Sequence, residues 1–166
     1  MNTASNLILG FDPGLNVTGW GAIKSHGNRE EHLSHGTIVT KNQQILGVRL
    51  NTIFEQVSDL CQKYSPSSIA VEKIFSNKNP DSTIKLGKAR GIIFLVAARF
   101  DIEIFEYSPN TVKKNLVGYG HATKFQIVKM IERIFPNLVI EDENSADALA
   151  VAVCHSMQKR SKIFLK

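Results

Sequence analysis

The sequence predicts a single α/β domain in which a five-stranded mixed sheet is flanked by helices. Three strand-like segments follow one another near the start of the chain, and two later strand segments alternate with segments of helical periodicity. We expect the first three strands to form an antiparallel meander, which helical crossovers extend by two parallel strands. The chain has 166 residues, a length that suffices for one compact domain with a real core but not for two domains.

The predicted strands are short apolar segments that end at turn residues. They cover residues 7–12, 18–24, 32–39, 68–72 and 103–107. Pro13 and Gly14 follow the first strand at once. The polar segment 25–31, which contains Gly27, is expected to form a hairpin loop between the second and third strands.

Five segments with apolar residues at helical spacing are predicted to be helices. They cover residues 46–64, 80–100, a short stretch from 109, 123–135 and 144–157. Asn79 and Pro80 have the character of an N-cap and a first helical residue, and Thr123 with Gln126 forms a capping box. The basic tail from about residue 158 is expected to fray.

Composition limits the possible partners. The net charge of +5 favours a polyanionic partner without requiring one. No apolar run approaches the length of a membrane span, and residues 1–6 lack the features of a signal peptide, so we expect a soluble, cytoplasmic protein. Cys61 and Cys154 lie in apolar helical segments and are expected to be buried and reduced.

Three acidic residues are predicted at positions where the burial of their charges would be unfavourable. Asp12 ends the first strand and Glu72 ends the fourth, so their side chains reach the same sheet edge if these strands are neighbours. Asp147 lies among small residues on the last predicted helix, which can therefore approach the sheet closely. Carboxylates that converge cannot all remain ionised without cations. Oxygen ligands favour Mg²⁺ or Mn²⁺, and two such ions about 4 Å apart would serve phosphodiester hydrolysis.

Each acid also has a plainer interpretation. Asp12 would serve only as a turn former, and Glu72 would form a surface ion pair with Lys73. Asp147 would be the acid of a capping box that starts at Asn144. Each signal alone is weak, and the joint pattern favours a metal site.

Motifs along nearly the whole chain resemble the RuvC family of Holliday-junction resolvases, whose fold is ribonuclease-H-like. The matching stretches are 9–14 (LGFDPG), 18–21 (TGWG), 71–75 (VEKIF), 82–91 (STIKLGKARG), 112–114 (VKK), 117–124 (VGYGHATK) and 146–150 (ADALA). The match extends over roughly residues 7–157. An Asp-x-Gly element alone would be a weak signal, but the ordered set is specific.

The resemblance implies a metal-dependent endonuclease of homologous recombination and DNA repair. Such an enzyme acts as a homodimer and nicks two opposed strands of a four-way DNA junction. The resemblance further implies two Mg²⁺ ions per subunit, which Mn²⁺ can replace. It also implies a bacterial, cytoplasmic setting and a branch-migration motor complex of RuvA and RuvB as partner.

The resemblance also assigns the metal ligands. The catalytic metal-binding acids would be Asp12, Glu72 and Asp147. The fourth ligand, usually Asp or His in the family, falls on Asn144, whose amide oxygen can bind Mg²⁺ but brings no charge and cannot act as a base. The neighbouring Asp142 or Glu143 could supply the missing carboxylate. An engineered substitution of Asn for an original Asp at position 144 would also explain this residue.

DNA-binding residues are predicted beside these acids. Phe75 lies in a polar loop and could stack on an unpaired base, although packing onto the core is the alternative; the resemblance makes it a wedge at the junction centre. Lys78, Lys113 and Lys124 lie in loops or at helix starts. A lysine at a helix N-terminus opposes the helix dipole, so a phosphate partner would explain Lys113 and Lys124. The resemblance also places Lys124 near the metal site as a catalytic residue.

Gly87 and Gly91 share one face of the second predicted helix, where small residues permit close approach of another backbone. The approaching backbone would be either the domain's own sheet or, as the resemblance implies, a second subunit.

Three other classes of protein fit parts of the pattern. Another ribonuclease-H-like nuclease would share Asp12 but not the Phe75 loop. A sugar kinase or actin-like ATPase would need a second domain. A junction-binding protein with weak or absent cleavage is made plausible by Asn144.

Overall fold

The computed structural model describes residues 6–74 and 80–164, with side chains described as far as residue 161. Its strands are β1 (Asn6–Asp12), β2 (Val17–His26), β3 (Arg29–Val39), β4 (Ser68–Glu72) and β5 (Glu103–Tyr107). They form one five-stranded sheet in the order β3-β2-β1-β4-β5. The pairs β1–β2 and β2–β3 are antiparallel, whereas β1–β4 and β4–β5 are parallel. The predicted meander with two parallel strands is therefore confirmed.

The helices follow the predicted order. They are α1 (Leu46–Tyr64), α2 (Pro80–Arg99), α3 (Pro109–Val117), α4 (Lys124–Ile134) and α5 (Glu143–Phe164). The capping box of Thr123 and Gln126 is formed in both directions at the start of α4. Asn79, the predicted cap of α2, lies outside the described residues. Within the described part of the chain, no helix has the length and apolar character that crossing a membrane requires.

Two boundaries differ from prediction because polar residues found cross-strand or cross-element partners. β2 and β3 extend through most of the predicted loop to a tight turn at Gly27, whose φ is 56°. The prediction that the tail from about residue 158 frays is wrong, since α5 continues to Phe164. Arg160 on α5 forms a 2.7 Å ion pair with the almost fully buried Glu30 side chain of β3. This ion pair fixes the helix end to the hairpin.

The sheet has a hydrophobic core on each face. Leu9, Phe11 and Ile69 face α1 and α2. Ile8 and Ile23 face α3, α4 and α5 on the other side. The two cysteines are free and buried, as predicted, with Cys61 in the first core and Cys154 in the second.

Helix α5 lies directly on the sheet because glycines face it. A Cβ atom added to Gly10 would collide with the carbonyl oxygen of Ala148, and one added to Gly19 would collide with that of Asn144. Gly10 and Gly21 are register partners on β1 and β2. The close approach predicted from the small residues of α5 is therefore confirmed, and it needs glycine on the sheet as well.

We predict that Gly10→Ala destabilises the fold. The added methyl group has no room between β1 and α5, and overpacking of this kind costs about 1–3 kcal/mol in the free energy of unfolding, which urea denaturation measures. Gly47→Ala is the matched control, because a Cβ at Gly47 on α1 would meet no atom of the described residues within 4 Å. We expect that control to keep or raise the free energy of unfolding, by up to about 1 kcal/mol, because alanine favours the helix and restricts the unfolded chain. Equal losses in both variants would contradict the packing argument.

Candidate active site

Asp12 and Glu72 lie at the same edge of the sheet. They end β1 and β4, which are parallel neighbours paired up to Phe11 and Val71. The two acids line one cavity together with Pro13, Lys73, Ile74, Leu86 and Pro109. The prediction that both carboxylates reach a common edge is confirmed. Among the described residues, Glu72 forms no ion pair within 4 Å, so the surface ion pair with Lys73 is absent.

The third acid is brought to this edge by the first turns of α5. The backbone of Asn144 lies against Gly19, which is the register partner of Asp12 on β2. Asp147 follows one turn later and acts electrostatically on both other acids, raising their pKa values. The three carboxylates, distant in sequence, therefore share one region.

These carboxylates hold their protons unusually tightly. Burial, followed by the charges of Asp147 and Glu72, raises the pKa of Asp12 to about 7. Burial and then the charge of Asp147 raise the pKa of Glu72 to about 7. Burial also raises the pKa of Asp147. Raised pKa values of this kind are expected of acids that lie close together in a poorly solvated site without sufficient positive charge.

The acids influence one another electrostatically across the cleft, but their side chains do not form a preformed metal-binding cluster. In residues 6–74 and 80–164, no three Asp, Glu, His or Cys side chains lie close enough to hold a metal ion as they stand. Two lysines partly offset the negative charge. Lys113 and Lys124 both lower the pKa values of Glu72 and Asp147. Lys124 therefore lies beside the acids, as the resemblance implies. Lys113 acts on them from the middle of α3 and not from the helix start that the sequence predicted.

Lys124 bridges two acids at the start of α4. Its ammonium nitrogen lies 3.1 Å from Glu143 Oε2 and 3.6 Å from Asp147 Oδ2. The hydrogen bond that Lys124 donates to Glu143 is the main reason that the pKa of the lysine is raised. The lysine is therefore charged and directed at the carboxylate cluster.

The acids flanking Asn144 have different roles. Asp142 caps α5: its Oδ1 accepts the Ser145 N–H at 2.7 Å and its Oδ2 accepts the Ser145 hydroxyl at 2.6 Å. The interpretation in which Asn144 caps the helix is therefore wrong. Asp142 is committed to the backbone, whereas Glu143 reaches the site through Lys124. Asn144 itself is half-buried beside Gly19.

Two predicted DNA-binding residues, Phe75 and Lys78, lie outside the described residues, so their roles remain predictions. The two glycines of α2 point outward, and among the described residues a Cβ at Gly87 or Gly91 would meet nothing within 4 Å. The alternative in which they pack against the domain's own sheet is therefore wrong.

Sequence reasoning missed an arginine that holds the loop after Asp12. The Arg49 side chain on α1 donates to the Leu15 carbonyl at 3.2 Å, to Asn16 Oδ1 at 2.5 Å and to Thr40 Oγ1 at 2.9 Å. No local motif marks Arg49, because its partners come from two distant loops. The turn that follows Asp12 is thus fixed from outside the sheet.

Comparison with known proteins identifies relatives over nearly the whole chain. A family model described as "Crossover junction endodeoxyribonuclease RuvC" matches residues 8–155. The RuvC of a Wolbachia strain of Brugia malayi is 47% identical over 155 residues, covering 93% of this chain and 96% of the relative. The RuvC of Bartonella tribocorum is 42% identical over 153 residues, covering 92% and 90%.

Solved structures agree with these sequence matches. Thermus thermophilus RuvC in complex with a Holliday junction substrate superposes with a TM-score of 0.90 at 27% identity, covering 95% of this chain and 96% of that one. The yeast mitochondrial Holliday junction resolvase Ydc2 has a TM-score of 0.68 at 11% identity, covering 96% and 83%, and shows the shared fold only. The chain therefore belongs to the RuvC family of crossover junction endodeoxyribonucleases.

Proposed function

We propose that this chain resolves Holliday junctions by hydrolysing one phosphodiester bond in each of two opposed strands. The observation that carries the proposal is the convergence of Asp12, Glu72 and Asp147 at one sheet edge, with raised pKa values and two lysines beside them. The non-cleaving alternative is not favoured, because the three family acids are present and only Asn144 departs from the pattern.

The donor set fits divalent metal ions. Asp12, Glu72 and Asp147 offer hard carboxylate oxygens, and Asn144, whose backbone lies against Gly19, would add a neutral amide oxygen. We propose Mg²⁺, or Mn²⁺ in its place, with two ions per subunit. Bound ions would activate the attacking water and stabilise the leaving oxygen of the phosphodiester.

The lysines would complete the reaction site. Lys124, charged and 3.6 Å from Asp147, would orient the scissile phosphate or support the leaving oxygen. Lys113, which acts electrostatically on Glu72 and Asp147, would bind a neighbouring phosphate. Phe75 and Lys78, which follow β4 in the sequence, would contact the junction at its centre.

We further propose that the protein acts as a homodimer through α2. Gly87 and Gly91 face outward, and the exposed apolar side chains Ile84 (54%) and Leu95 (51%) fall on the same helical stripe. A two-fold interface along this stripe would give two equivalent active sites for two opposed strands. The resolvase would act with the branch-migration motor proteins RuvA and RuvB in the bacterial cytoplasm.

A synthetic four-way junction tests the function. We expect paired nicks in opposed strands with Mg²⁺ and with Mn²⁺. Asp12→Asn should bind the junction but cut at least about a thousandfold more slowly, since metal-ion catalysis is worth several kcal/mol. Asp59→Asn removes an exposed acid on α1 and should cut normally. Binding without cutting by the parent chain, with either ion, would select the non-cleaving alternative.

The role of Asn144 is tested by restoring an acid. Asn144→Asp adds a carboxylate to the first turn of α5, whose backbone lies against Gly19, the register partner of Asp12, and ligand charge raises metal affinity. We therefore expect about tenfold less Mg²⁺ to be needed for half-maximal cleavage, and a higher rate at limiting Mg²⁺. Asn42→Asp adds the same charge to an exposed turn and should change neither value. An unchanged or lower rate for Asn144→Asp would show that the amide is native to the mechanism or irrelevant to it.

Stability should depend on pH through the same acids. Because the folded state raises the pKa of Asp12 from 3.8 to about 7, it binds this proton more tightly than the unfolded chain does. Without added divalent cation, the free energy of unfolding should therefore fall as the pH rises from about 4 through 7.

The comparison with Asp12→Asn isolates this effect. The variant should exceed the parent in stability by about 1–3 kcal/mol at pH 8, and the gap should shrink towards pH 4. Saturating Mg²⁺ should close the gap at pH 8. Urea unfolding at both pH values measures it, and a gap that does not vary with pH would contradict the burial argument.

A further inference from the structure

Arg90 lies between α2 and the ends of β4 and β5, with only 17% of its side chain exposed. Its Nη2 is 2.8 Å from Glu106 Oε1 on β5. Its guanidinium carbon lies 4.6 Å from the ring centre of Phe94, one turn further along α2. A planar guanidinium held by an ion pair on one side and a ring on the other has little freedom to reorient.

The same guanidinium reaches the backbone of Glu72. Arg90 Nε donates to the Glu72 carbonyl oxygen at 3.5 Å. The pairing of β1 with β4 ends one residue earlier, at Phe11 and Val71, and Pro13, the next position beyond Asp12, has no N–H to donate.

The other side of this strand end is held by the sheet. The N–H of Lys73, the residue after Glu72, donates to the Tyr107 carbonyl of β5 at 2.8 Å. Arg90 therefore supplies a donor to the Glu72 peptide at the point where the strand β1 can no longer provide one.

We propose that Arg90 is a positioning residue for Glu72. Its guanidinium group binds the Glu106 side chain and the Glu72 carbonyl oxygen at the same time. It thereby fixes the backbone at Glu72 and the orientation of the Glu72 side chain. It acts through the backbone and does not contact the substrate. The inference rests on the proposed function of Glu72, and it links α2, whose outer face is the proposed dimer surface, to the active site.

Arg90→Lys provides the sharpest test. Lysine keeps the charge for Glu106 but lacks the planar fork that reaches two acceptors at once. We expect the junction Kd to stay within twofold while the cleavage rate falls about ten- to a hundredfold, because small misplacements of a catalytic group cost this much. The carbonyl ¹³C resonance of Glu72, measured without substrate, should shift in this variant.

Two controls separate positioning from plain stability. Lys63→Ala removes an exposed cation from α1 and should leave the rate, the Kd and the Glu72 resonance unchanged. Glu106→Gln weakens the ion pair but leaves an acceptor for Arg90, so it should lower Tm with a smaller loss of rate than Arg90→Lys. Arg90→Lys cutting at the parental rate, or an unshifted Glu72 carbonyl, would overturn the proposal. Failure of the parent chain itself to cut junctions would refute the proposed function instead, and the Glu72 resonance would still report on the Arg90 contact.

Discussion

The contact between α5 and the glycine-lined centre of the sheet is the constraint on which the site depends. Gly10, Gly19 and Gly21 remove the side chains that would otherwise separate helix from strand. The first turns of α5 consequently reach β1 and β2 backbone to backbone. This approach brings Asp147 within electrostatic reach of Asp12 and Glu72. If α5 were held further from the sheet by ordinary side chains, Asp147 would lie too far away, and only Asp12 and Glu72 would remain together at the site.

Bringing acids together is unfavourable by itself, and the surrounding structure offsets only part of the cost. Burial raises the pKa values of all three carboxyls, and the charge of Asp147 raises those of Asp12 and Glu72 further. Lys113 and Lys124 supply positive charge, but Lys124 is shared with Glu143. The remaining imbalance of charge is consistent with a metal-dependent enzyme, because a bound cation would add positive charge that the cleft lacks.

The sequence allowed the parts of the site with local signals to be predicted. Asp12 and Glu72 each follow an apolar run directly, so their placement at strand ends could be inferred without a structure. The start of α5 could not, because Asp142, Glu143 and Asn144 are all plausible near a helix N-terminus. Only the bond from the Ser145 N–H selects Asp142 as the cap.

Other features depended on partners far away in the chain. The hairpin of β2 and β3 is built from polar residues that form a strand because they pair with each other, as Ser25 does with Glu30. Arg49 and Arg90 are ordinary helical arginines in sequence, and their partners lie on other elements. Contacts between residues so far apart in the chain produce no local pattern in the sequence from which they could be predicted.

The length of α5 couples two distant regions of the molecule. Asp147 stands near one end of this helix and Arg160 near the other, about 20 Å away along its axis. The distal end is tied to the hairpin through Glu30 and through the Gly27 carbonyl. Any tilt that withdrew the acidic end from β1 must therefore strain these distal bonds. Because the distal end of α5 is held in this way, the hairpin resists such a rotation and helps to keep Asp147 close to Asp12 and Glu72, although it lies far from all three.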